Sequence, residues 1–213
     1  MKVLVVCAHP DDEILGPGAT IAKHVQSGDT VNVLLLSRGG LSRDGTDLSL
    51  IQKVHQSTVK ASKLLGYNVN WENFPDQEFD TVSILSIAKA IEREIDRTNP
   101  DIMYCHSNVD RNLDHRIAYD ASMVATRISI KNIYCFEVPS STEWGDRPFN
   151  ANYFVDITDT FDLKLQAILL YTSEVREPPH PRSNQYIEGL ARVRGGQIGV
   201  EYAESFCQVR RLG

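Results

Sequence analysis

The segment Val3-Leu-Val-Val-Cys-Ala-His-Pro-Asp-Asp-Glu13 joins a short apolar run to a dense group of polar side chains. An apolar run of this length, rich in β-branched residues, is typical of a buried β-strand. Comparable runs recur along the chain, at residues 2–7, 31–36, 101–105 and 132–136, with a weaker one at 68–72. The polar group therefore follows directly on the end of the first predicted strand.

The segments between these runs have the spacing of helices. The clearest apolar stripe stops at Asn99-Pro100 and consists of Ile84, Ile87, Ala88, Ile91 and Ile95. Alternating strands and helices predict a Rossmann-like α/β fold, with a mostly parallel sheet and helices on both faces. In the doubly wound order 3-2-1-4-5, the first and fourth strands are neighbours and the loops after them face one crevice. No linker divides the chain, so residues 1–213 are predicted to form a single domain.

Composition and charge exclude several functional classes. The chain has 213 residues, of which 42% are hydrophobic and 23% charged, as in ordinary globular domains. The formal net charge is −6 and no basic run is present, so a nucleic acid partner is not expected. The apolar run at residues 3–8 is too short for a signal peptide or a membrane span. We therefore expect a cytoplasmic protein without a membrane span.

The four cysteines, at positions 7, 105, 135 and 207, show no CxxC spacing. Three of them fall inside apolar, strand-like runs. This pattern favours buried reduced thiols over a disulfide framework or a zinc site made of cysteines.

The polar group after the first strand has the composition of a divalent-metal site. His9 is followed by the carboxylates of Asp11, Asp12 and Glu13, all at the carboxyl edge of the predicted sheet. An alternative interpretation is a helix entry, with Pro10 near the first helical position and the acids complementing the helix dipole. That interpretation does not account for His9, and metal binding is favoured.

A second polar cluster, His106-Ser-Asn-Val-Asp-Arg-Asn-Leu-Asp-His-Arg116, follows the strand predicted at 101–105 and leads into a helix that begins near Leu113. In the expected strand order, both clusters face one crevice, so His9, Asp12 and His115 can converge on one ion. Two imidazoles and one carboxylate with an open position form the pattern of a catalytic zinc site.

These two clusters carry a resemblance to a known family. The segments Ala8–Glu13 and Asn112-Leu113-Asp114-His115 resemble the paired motifs of the PIG-L/LmbE-like zinc-dependent de-N-acetylases. Further matches extend it over nearly the whole chain: Gly18-Ala-Thr-Ile-Ala22, Pro75-Asp76, Val138-Pro-Ser-Ser-Thr-Glu-Trp144, Asp162-Leu-Lys-Leu-Gln-Ala167 with Tyr171, Pro179-His-Pro-Arg-Ser183 and Val200-Glu-Tyr-Ala-Glu-Ser-Phe206. The resemblance implies hydrolysis of an N-acetyl group from an amino sugar, releasing acetate and a free amine.

The resemblance also implies roles for individual residues. His9, Asp12 and His115 become the ligands of one zinc ion per chain, and Asp11 becomes the general base. An alternative role for Asp11 is a carboxylate that holds His9. Asp114 is expected to orient the crevice loop or a histidine, and Glu13 to complement the helix dipole.

Two departures from the family pattern concern catalysis and substrate contacts. The family commonly has His where this chain has Asn112, which can donate a hydrogen bond to an oxyanion but cannot deliver a proton. The identity of the general acid is therefore open. The available imidazoles are His106 and His180. His180 is slightly preferred because it lies among three prolines, which stiffen its segment. A basic residue that the family has early in its second helix is missing near Val54.

Weaker candidates for substrate contacts are Arg182, Arg38, Arg43 and Trp144, which could hold sugar hydroxyls or a phosphate. Gly16-Pro17-Gly18 lacks the GxGxxG spacing of a dinucleotide-binding loop, which disfavours such a cofactor.

The substrate class stays open at this stage. The N-acetyl sugar could belong to a glycoside, a nucleotide sugar or a lipid-linked precursor, and assembly as a homo-oligomer is left open. Two alternatives remain for the function: hydrolysis of a non-sugar amide, or a non-catalytic module that binds a sugar or nucleotide.

Overall fold

A computed structural model describes residues 1–39, 48–127 and 130–212 of the chain. The strands are β1 (Lys2–Cys7), β2 (Thr30–Ser37), β3 (Asn68–Phe74), β4 (Ile102–Cys105), β5 (Asn132–Phe136), β6 (Tyr153–Asp156) and β7 (Ala203–Arg211). The helices are α1 (Asp12–Leu15), α2 (Gly18–Gln26), α3 (Leu48–Leu65), α4 (Ile84–Thr98), α5 (Leu113–Ala125), α6 (Phe161–Leu169) and α7 (Asn184–Gly196), with a 3₁₀ turn at Phe79–Thr81. All five predicted strands are present.

The strands of the described ranges form one sheet in the order β3-β2-β1-β4-β5-β7-β6. The pairs β1–β2, β1–β4, β2–β3 and β4–β5 are parallel, which confirms the predicted order 3-2-1-4-5. β7 runs antiparallel to both β5 and β6, and the sequence did not predict β6 or β7. β6 has only four residues and β7 mixes polar with apolar residues, so neither gives a long continuous apolar run.

Alternate residues of β1 supply the cores on the two faces of the sheet. Val3, Val5 and Cys7 belong to one apolar cluster, which also contains residues of α2, α3, α6 and α7. Leu4 and Val6 belong to a second cluster, which contains residues of α4 and α5. Both sides of the central strand are therefore covered by helices, as the α/β prediction requires.

The apolar stripe of α4 packs against the sheet as predicted, with one exception. Ile87, Ala88 and Ile91 are fully buried, whereas Ile84 is 41% exposed. Ile84 is the first residue of the helix, directly after the capping residue Ser83, and it lies beyond the part of the helix that covers the sheet. The helix ends at Asn99, which takes a left-handed conformation with φ 46°.

The chain between β1 and α1 differs from the helix entry considered above. The residue that precedes the helix is Asp11, with a left-handed φ of 104°, and helical geometry begins at Asp12. Pro10 therefore lies outside the helix instead of at its first position.

The cysteines of the described segments are free, and Cys7, Cys105 and Cys135 are buried. Cys207 is half-buried. None of the helices in the described ranges is long and apolar enough to cross a membrane.

A buried ion pair fixes the turn between α1 and α2. Lys164 Nζ lies 2.6 Å from Glu204 Oε1 and donates to the Gly16 carbonyl at 2.8 Å. The Glu204 carboxylate also accepts the backbone N–H groups of Ala19 and Thr20, in the first turn of α2. This network connects α6 and β7 to the segment that follows the polar cluster of β1.

We expect Lys164→Met to lower the free energy of unfolding by about 3–5 kcal/mol, because the Glu204 carboxylate stays buried without its countercharge. Urea unfolding followed by circular dichroism measures the loss. The control is Lys89→Met, which removes an exposed ion pair with Glu92 and should cost about 1 kcal/mol or less. Equal small losses in the two variants would contradict a stabilising role for the buried pair.

Candidate metal centre

Two histidines meet at the carboxyl edge of the sheet because β1 and β4 are neighbours. His9 follows β1, and His115 lies in the first turn of α5, which follows β4. His9 Nδ1 and His115 Nε2 are 3.2 Å apart. The helix begins at Leu113, as predicted, so His115 is a helical residue, and it is only 1% exposed.

Asp12 completes a triangle of ligand atoms. Its Oδ1 is 3.4 Å from His115 Nε2, and its Oδ2 is 3.6 Å from His9 Nδ1. Tetrahedral zinc, with bonds of roughly 2.0–2.1 Å, places its ligand atoms about 3.4 Å apart. Asp12 Oδ1 is buried and accepts no hydrogen bond from the described residues. A divalent cation held by these three side chains would satisfy that oxygen, so the residues fit a metal.

Each imidazole is held from behind by a carboxylate. Asp114 Oδ2 lies 3.0 Å from His9 Nε2, and Asp110 Oδ2 lies 3.0 Å from His115 Nδ1. Such partners fix the tautomer and the orientation of metal-binding histidines. The sequence analysis missed Asp110, although a carboxylate five residues before His115 in a polar cluster was an available signal.

Asp114 also holds the loop that follows β3. Its two carboxylate oxygens accept the backbone N–H groups of Gln77 and Phe79, at 2.8 and 3.0 Å. It thus contacts both a loop and a histidine, the two partners expected for it. Gln77 has a left-handed φ of 59° and its side chain reaches Asn112, whose Nδ2 donates to Gln77 Oε1 at 3.2 Å.

The electrostatics of this cluster favour a bound cation. Burial lowers the pKa of His9, but hydrogen bonds to Asp114 and Asp12, together with the charges of Asp12 and Asp76, raise that pKa to about 10. Burial raises the pKa of Asp12, and the nearby His115 and His106 bring it well below its usual range. The carboxylates thus create a strongly negative potential around His9, which either a proton or a metal ion neutralises.

His106 lies behind the ligands and does not reach the cavity. It is fully buried, its Nε2 accepts the Ala8 N–H at 3.0 Å, and its ring stacks on His115 with centroids 4.0 Å apart. Burial and the neighbouring His115 lower the pKa of His106 to about 4. The structure therefore places His106 away from the cavity wall, and its role as a general acid stays a prediction.

Asp11 lies beside the triangle and faces an arginine. Its Oδ2 accepts from Arg182 Nη1 at 2.9 Å, and its backbone N–H donates to Glu13 Oε2 at 2.9 Å. Burial raises the pKa of the Asp11 carboxyl, and the Arg182 guanidinium opposes this effect. The left-handed backbone of Asp11 is thus held on one side by Glu13, and its side chain on the other by Arg182.

Glu13 lies in the first turn of α1, as predicted, and its carboxyl is part of a buried hydrogen-bond network. Its carboxyl is fully buried, and its Oε1 accepts from the hydroxyls of Tyr67 at 3.0 Å and Tyr171 at 2.6 Å. Burial raises the pKa of Glu13. It thus supports the backbone of Asp11 from inside the protein, in addition to its position in the first turn of α1.

A cavity of about 150 Å³ opens over the metal-binding triangle. Its described lining consists of His9, Pro10, Asp11, Gly39, Leu50, Val54, Asp76, Gln77, Asn112, His115, Glu174 and Arg182. Val54 makes its wall apolar where a basic residue is missing, and Arg182 is the single Lys or Arg among these residues. Asn112 caps α5 by accepting from the Asp114 N–H at 2.9 Å.

The remaining candidates lie outside this lining. His180 Nδ1 accepts the Arg182 N–H at 3.0 Å, and the His180 ring packs edge-to-face against Trp144. Arg38 donates to Asn73 Oδ1 at 3.0 Å and borders a separate groove. Arg43 lies outside the described residues.

Comparison with known proteins places this geometry among deacetylases. The family model described as PIG-L: GlcNAc-PI de-N-acetylase matches residues 4–126. The chain is 33% identical over 145 residues to the uncharacterized deacetylase YaiS of Escherichia coli, covering 65% of this chain and 75% of the relative. It is 27% identical over 221 residues to diacetylchitobiose deacetylase of Thermococcus kodakarensis, covering 95% of this chain and 81% of that enzyme.

A solved structure confirms the fold. N,N'-diacetylchitobiose deacetylase from Pyrococcus horikoshii superposes with a TM-score of 0.82 at 22% identity, covering 98% of this chain and 83% of that one. One relative has a different activity in its name: 4-oxalmesaconate hydratase of Pseudomonas putida is 28% identical over 193 residues, covering 78% of this chain and 71% of the relative.

We expect His115→Ala to lose most of the bound metal, because the triangle of ligand atoms loses one imidazole. Elemental analysis of the purified protein measures the metal content, and circular dichroism tests whether α5, still capped by Asn112, remains folded. The matched control is His24→Ala, which removes a half-buried histidine bonded to Asp29 and Tyr104, away from the cavity. Equal metal content in His115→Ala and wild type would contradict the assignment.

Proposed function

The chain belongs to the PIG-L family, and from this premise we propose that it hydrolyses the N-acetyl group of an amino sugar in a metal-dependent reaction. The products are acetate and the free amino sugar. The observation that carries the proposal is the triangle of His9, Asp12 and His115 ligand atoms beside the Asp11 carboxylate, at one cavity. The deacetylases among the relatives support this reaction class.

We propose zinc as the metal, one ion per chain, because two imidazoles and a carboxylate with an open position suit it. His9, Asp12 and His115 would hold the ion, and the chemistry supplied by bound zinc would be polarisation of the amide carbonyl and a lowered pKa of water. His9 and His115 bind through the nitrogens that face each other, while Asp114 and Asp110 hold the opposite nitrogens.

Asp11 is the general base of the proposed reaction. Its carboxylate lines the cavity beside the ligand triangle, where it takes a proton as water adds to the amide carbon. The C–N bond then breaks, and the leaving nitrogen needs a proton. The Asn112 side chain cannot act as an acid, and His180 does not line the cavity. Asp11 therefore returns to the nitrogen the proton that it took from water. This replaces the sequence-based preference for His180.

Arg182 is a positioning residue for Asp11 in this proposal. Its Nη1 contacts Asp11 Oδ2 at 2.9 Å and Glu174 Oε2 at 3.2 Å, and its Nε donates to Ser140 Oγ at 3.2 Å. With these partners the guanidinium is already engaged by protein groups, so a substrate phosphate would have to compete with two carboxylates. Its expected role in substrate binding is thus replaced by a role in orienting the base.

Hydration of a carbon–carbon double bond is the second candidate, favoured by the hydratase among the relatives. The discriminating experiment incubates the zinc-loaded protein with a panel of N-acetyl sugars and detects free amine, in parallel with 4-oxalmesaconate. Amine release supports the deacetylase; hydration of 4-oxalmesaconate without amine release from any sugar overturns it. A non-sugar amide in the same panel tests the remaining hydrolase alternative.

The cytoplasmic location and assembly as a homo-oligomer stay predictions.

Asp11→Asn should retain zinc while kcat falls by about two to four orders of magnitude, the usual contribution of a positioned general base. Asn tolerates the left-handed backbone of this position, so the fold around the site should persist. Steady-state kinetics on the best N-acetyl sugar, together with zinc analysis, provide the measurement. A near-normal kcat would place the base elsewhere, and loss of zinc would make Asp11 part of the metal site.

Arg182→Ala should lower kcat by about 10²-fold with little change in KM or zinc content, because Asp11 loses the group that orients it. Arg194→Ala is a matched control, since Arg194 makes a similarly shielded ion pair with Glu137 at 2.7 Å but does not line the cavity. Its kcat should stay close to that of wild type. An unchanged kcat in Arg182→Ala, or an equal loss in both variants, would contradict the positioning role.

A further inference from the structure

Residues with a left-handed backbone are concentrated around the cavity. Among the described residues, the non-glycine residues with a left-handed φ are Asp11 at 104°, Gln77 at 59°, Asn99 at 46° and Ser140 at 78°. Asp11 and Gln77 line the cavity. Ser140 contacts Arg182, which also lines it, whereas Asn99 ends helix α4. This conformation is strained for residues other than glycine, and it persists where the surroundings hold it, often at functional sites.

A carboxylate holds each of the three left-handed residues at the cavity. In each case a carboxylate oxygen accepts the backbone N–H of the left-handed residue. The pairs are Asp11 with Glu13 at 2.9 Å, Gln77 with Asp114 at 2.8 Å and Ser140 with Glu143 at 2.6 Å. The N–H of Asn99 instead donates to a carbonyl of its own helix. Because hydrogen bonds to carboxylates are among the stronger ones, these acids stabilise a strained backbone at three places around one cavity.

The side chain of Ser140 is linked to the proposed base through an arginine. Ser140 is only 6% exposed, and its Oγ accepts from Arg182 Nε at 3.2 Å. Arg182 Nη1 in turn donates to Asp11 Oδ2 at 2.9 Å. A continuous series of hydrogen bonds therefore leads from the Glu143 carboxylate through Ser140 and Arg182 to Asp11.

The contact with Ser140 restricts the orientation of the Arg182 guanidinium. Arg182 Nη1 lies between two carboxylates, Asp11 at 2.9 Å and Glu174 at 3.2 Å, so contacts at this nitrogen alone leave the group able to pivot. The guanidinium is planar and rigid, and a second contact at Nε fixes its plane. Without the Ser140 acceptor, Arg182 can turn towards Glu174 and release Asp11.

Provided that the proposed function holds and Asp11 is the base, we propose that Ser140 is a positioning residue for the reaction. It holds Arg182 in the orientation that directs the Asp11 carboxylate, and its strained backbone places Oγ beside Arg182 Nε. If Ser140 only stabilised its own turn, loss of Oγ would lower the stability of the protein and leave kcat unchanged.

Ser140→Gly tests this role, because glycine adopts a φ of 78° without strain and keeps the N–H that Glu143 accepts. We expect kcat on the best N-acetyl sugar to fall about tenfold, which corresponds to about 1.4 kcal/mol and is the size of one hydrogen bond. KM, zinc content and melting temperature should stay close to those of wild type. Ser140→Ala retains the strained backbone without the acceptor and should show the same loss in kcat.

A double-mutant cycle determines whether the effect passes through Arg182. In an Arg182→Ala background, Ser140→Gly should lower kcat no further, because the group that Ser140 orients is already absent. The matched control is Asn99→Gly, which replaces the left-handed residue at the end of α4 and should leave kcat unchanged. Three results would overturn the proposal: an unchanged kcat in Ser140→Gly, additive losses in the double variant, or a loss that folded Ser140→Ala does not share.

A second measurement is independent of the substrate. The side chains of Arg182 and Arg194 are 18% and 16% exposed, so Arg194 serves as an internal reference for modification by phenylglyoxal. Peptide mass spectrometry should show that Arg182 reacts several times faster in Ser140→Gly than in wild type, with Arg194 unchanged. If wild type deacetylates none of the sugars, the proposed function fails, and this ratio decides separately whether Ser140 holds Arg182. An unchanged ratio overturns that contact.

Discussion

The parallel pairing of β1 with β4 is the constraint on which the site depends. Val3, Leu4 and Val5 pair with residues 102–104, so both strands end at the same edge and deliver His9 and the start of α5 to one point. Because β1 is the central strand and is buried on both faces, a shift in its register would move every one of its side chains to the opposite core. The hydrophobic core thereby fixes the relative positions of two imidazoles that are far apart in the sequence.

Around this junction, carboxylates have distinct functions that depend on what each one faces. Asp12 directs one oxygen, which has no hydrogen bond from the described residues, at His115 and the other at His9, while Asp110 and Asp114 face the opposite nitrogens of the two rings. Glu13 faces two tyrosine hydroxyls and a backbone N–H, so it serves the backbone geometry of Asp11. Four acids of similar chemistry therefore differ in role because each has a different hydrogen-bond partner, which is set by the strand and helix that carry it.

The sequence predicts the parts of the fold and site that arise from local patterns. Continuous apolar runs identify the five parallel strands, and polar clusters after the first and fourth place His9, Asp12 and His115 at one edge. β6 and β7 were missed because antiparallel strands at the sheet margin leave no such run. The hydrogen bonds of Glu13 and Arg182 were not predicted for a related reason: their partners, Tyr171 and Asp11, lie 158 and 171 residues away. Local spacing carries no information on contacts of that range.

Metal binding and proton transfer rest on different parts of this structure. The ligand triangle belongs to the central strands and their following helices, whereas the proposed base is held from outside by Arg182, on a segment that also carries Glu174 and His180. Changes in that segment can alter the orientation of Asp11 and the rim of the cavity without displacing a ligand atom. No residue of the segment belongs to the triangle of His9, Asp12 and His115 ligand atoms. The separation allows substrate selectivity to change without a change in the ligand triangle, and a hydratase and a deacetylase have the same fold as this chain.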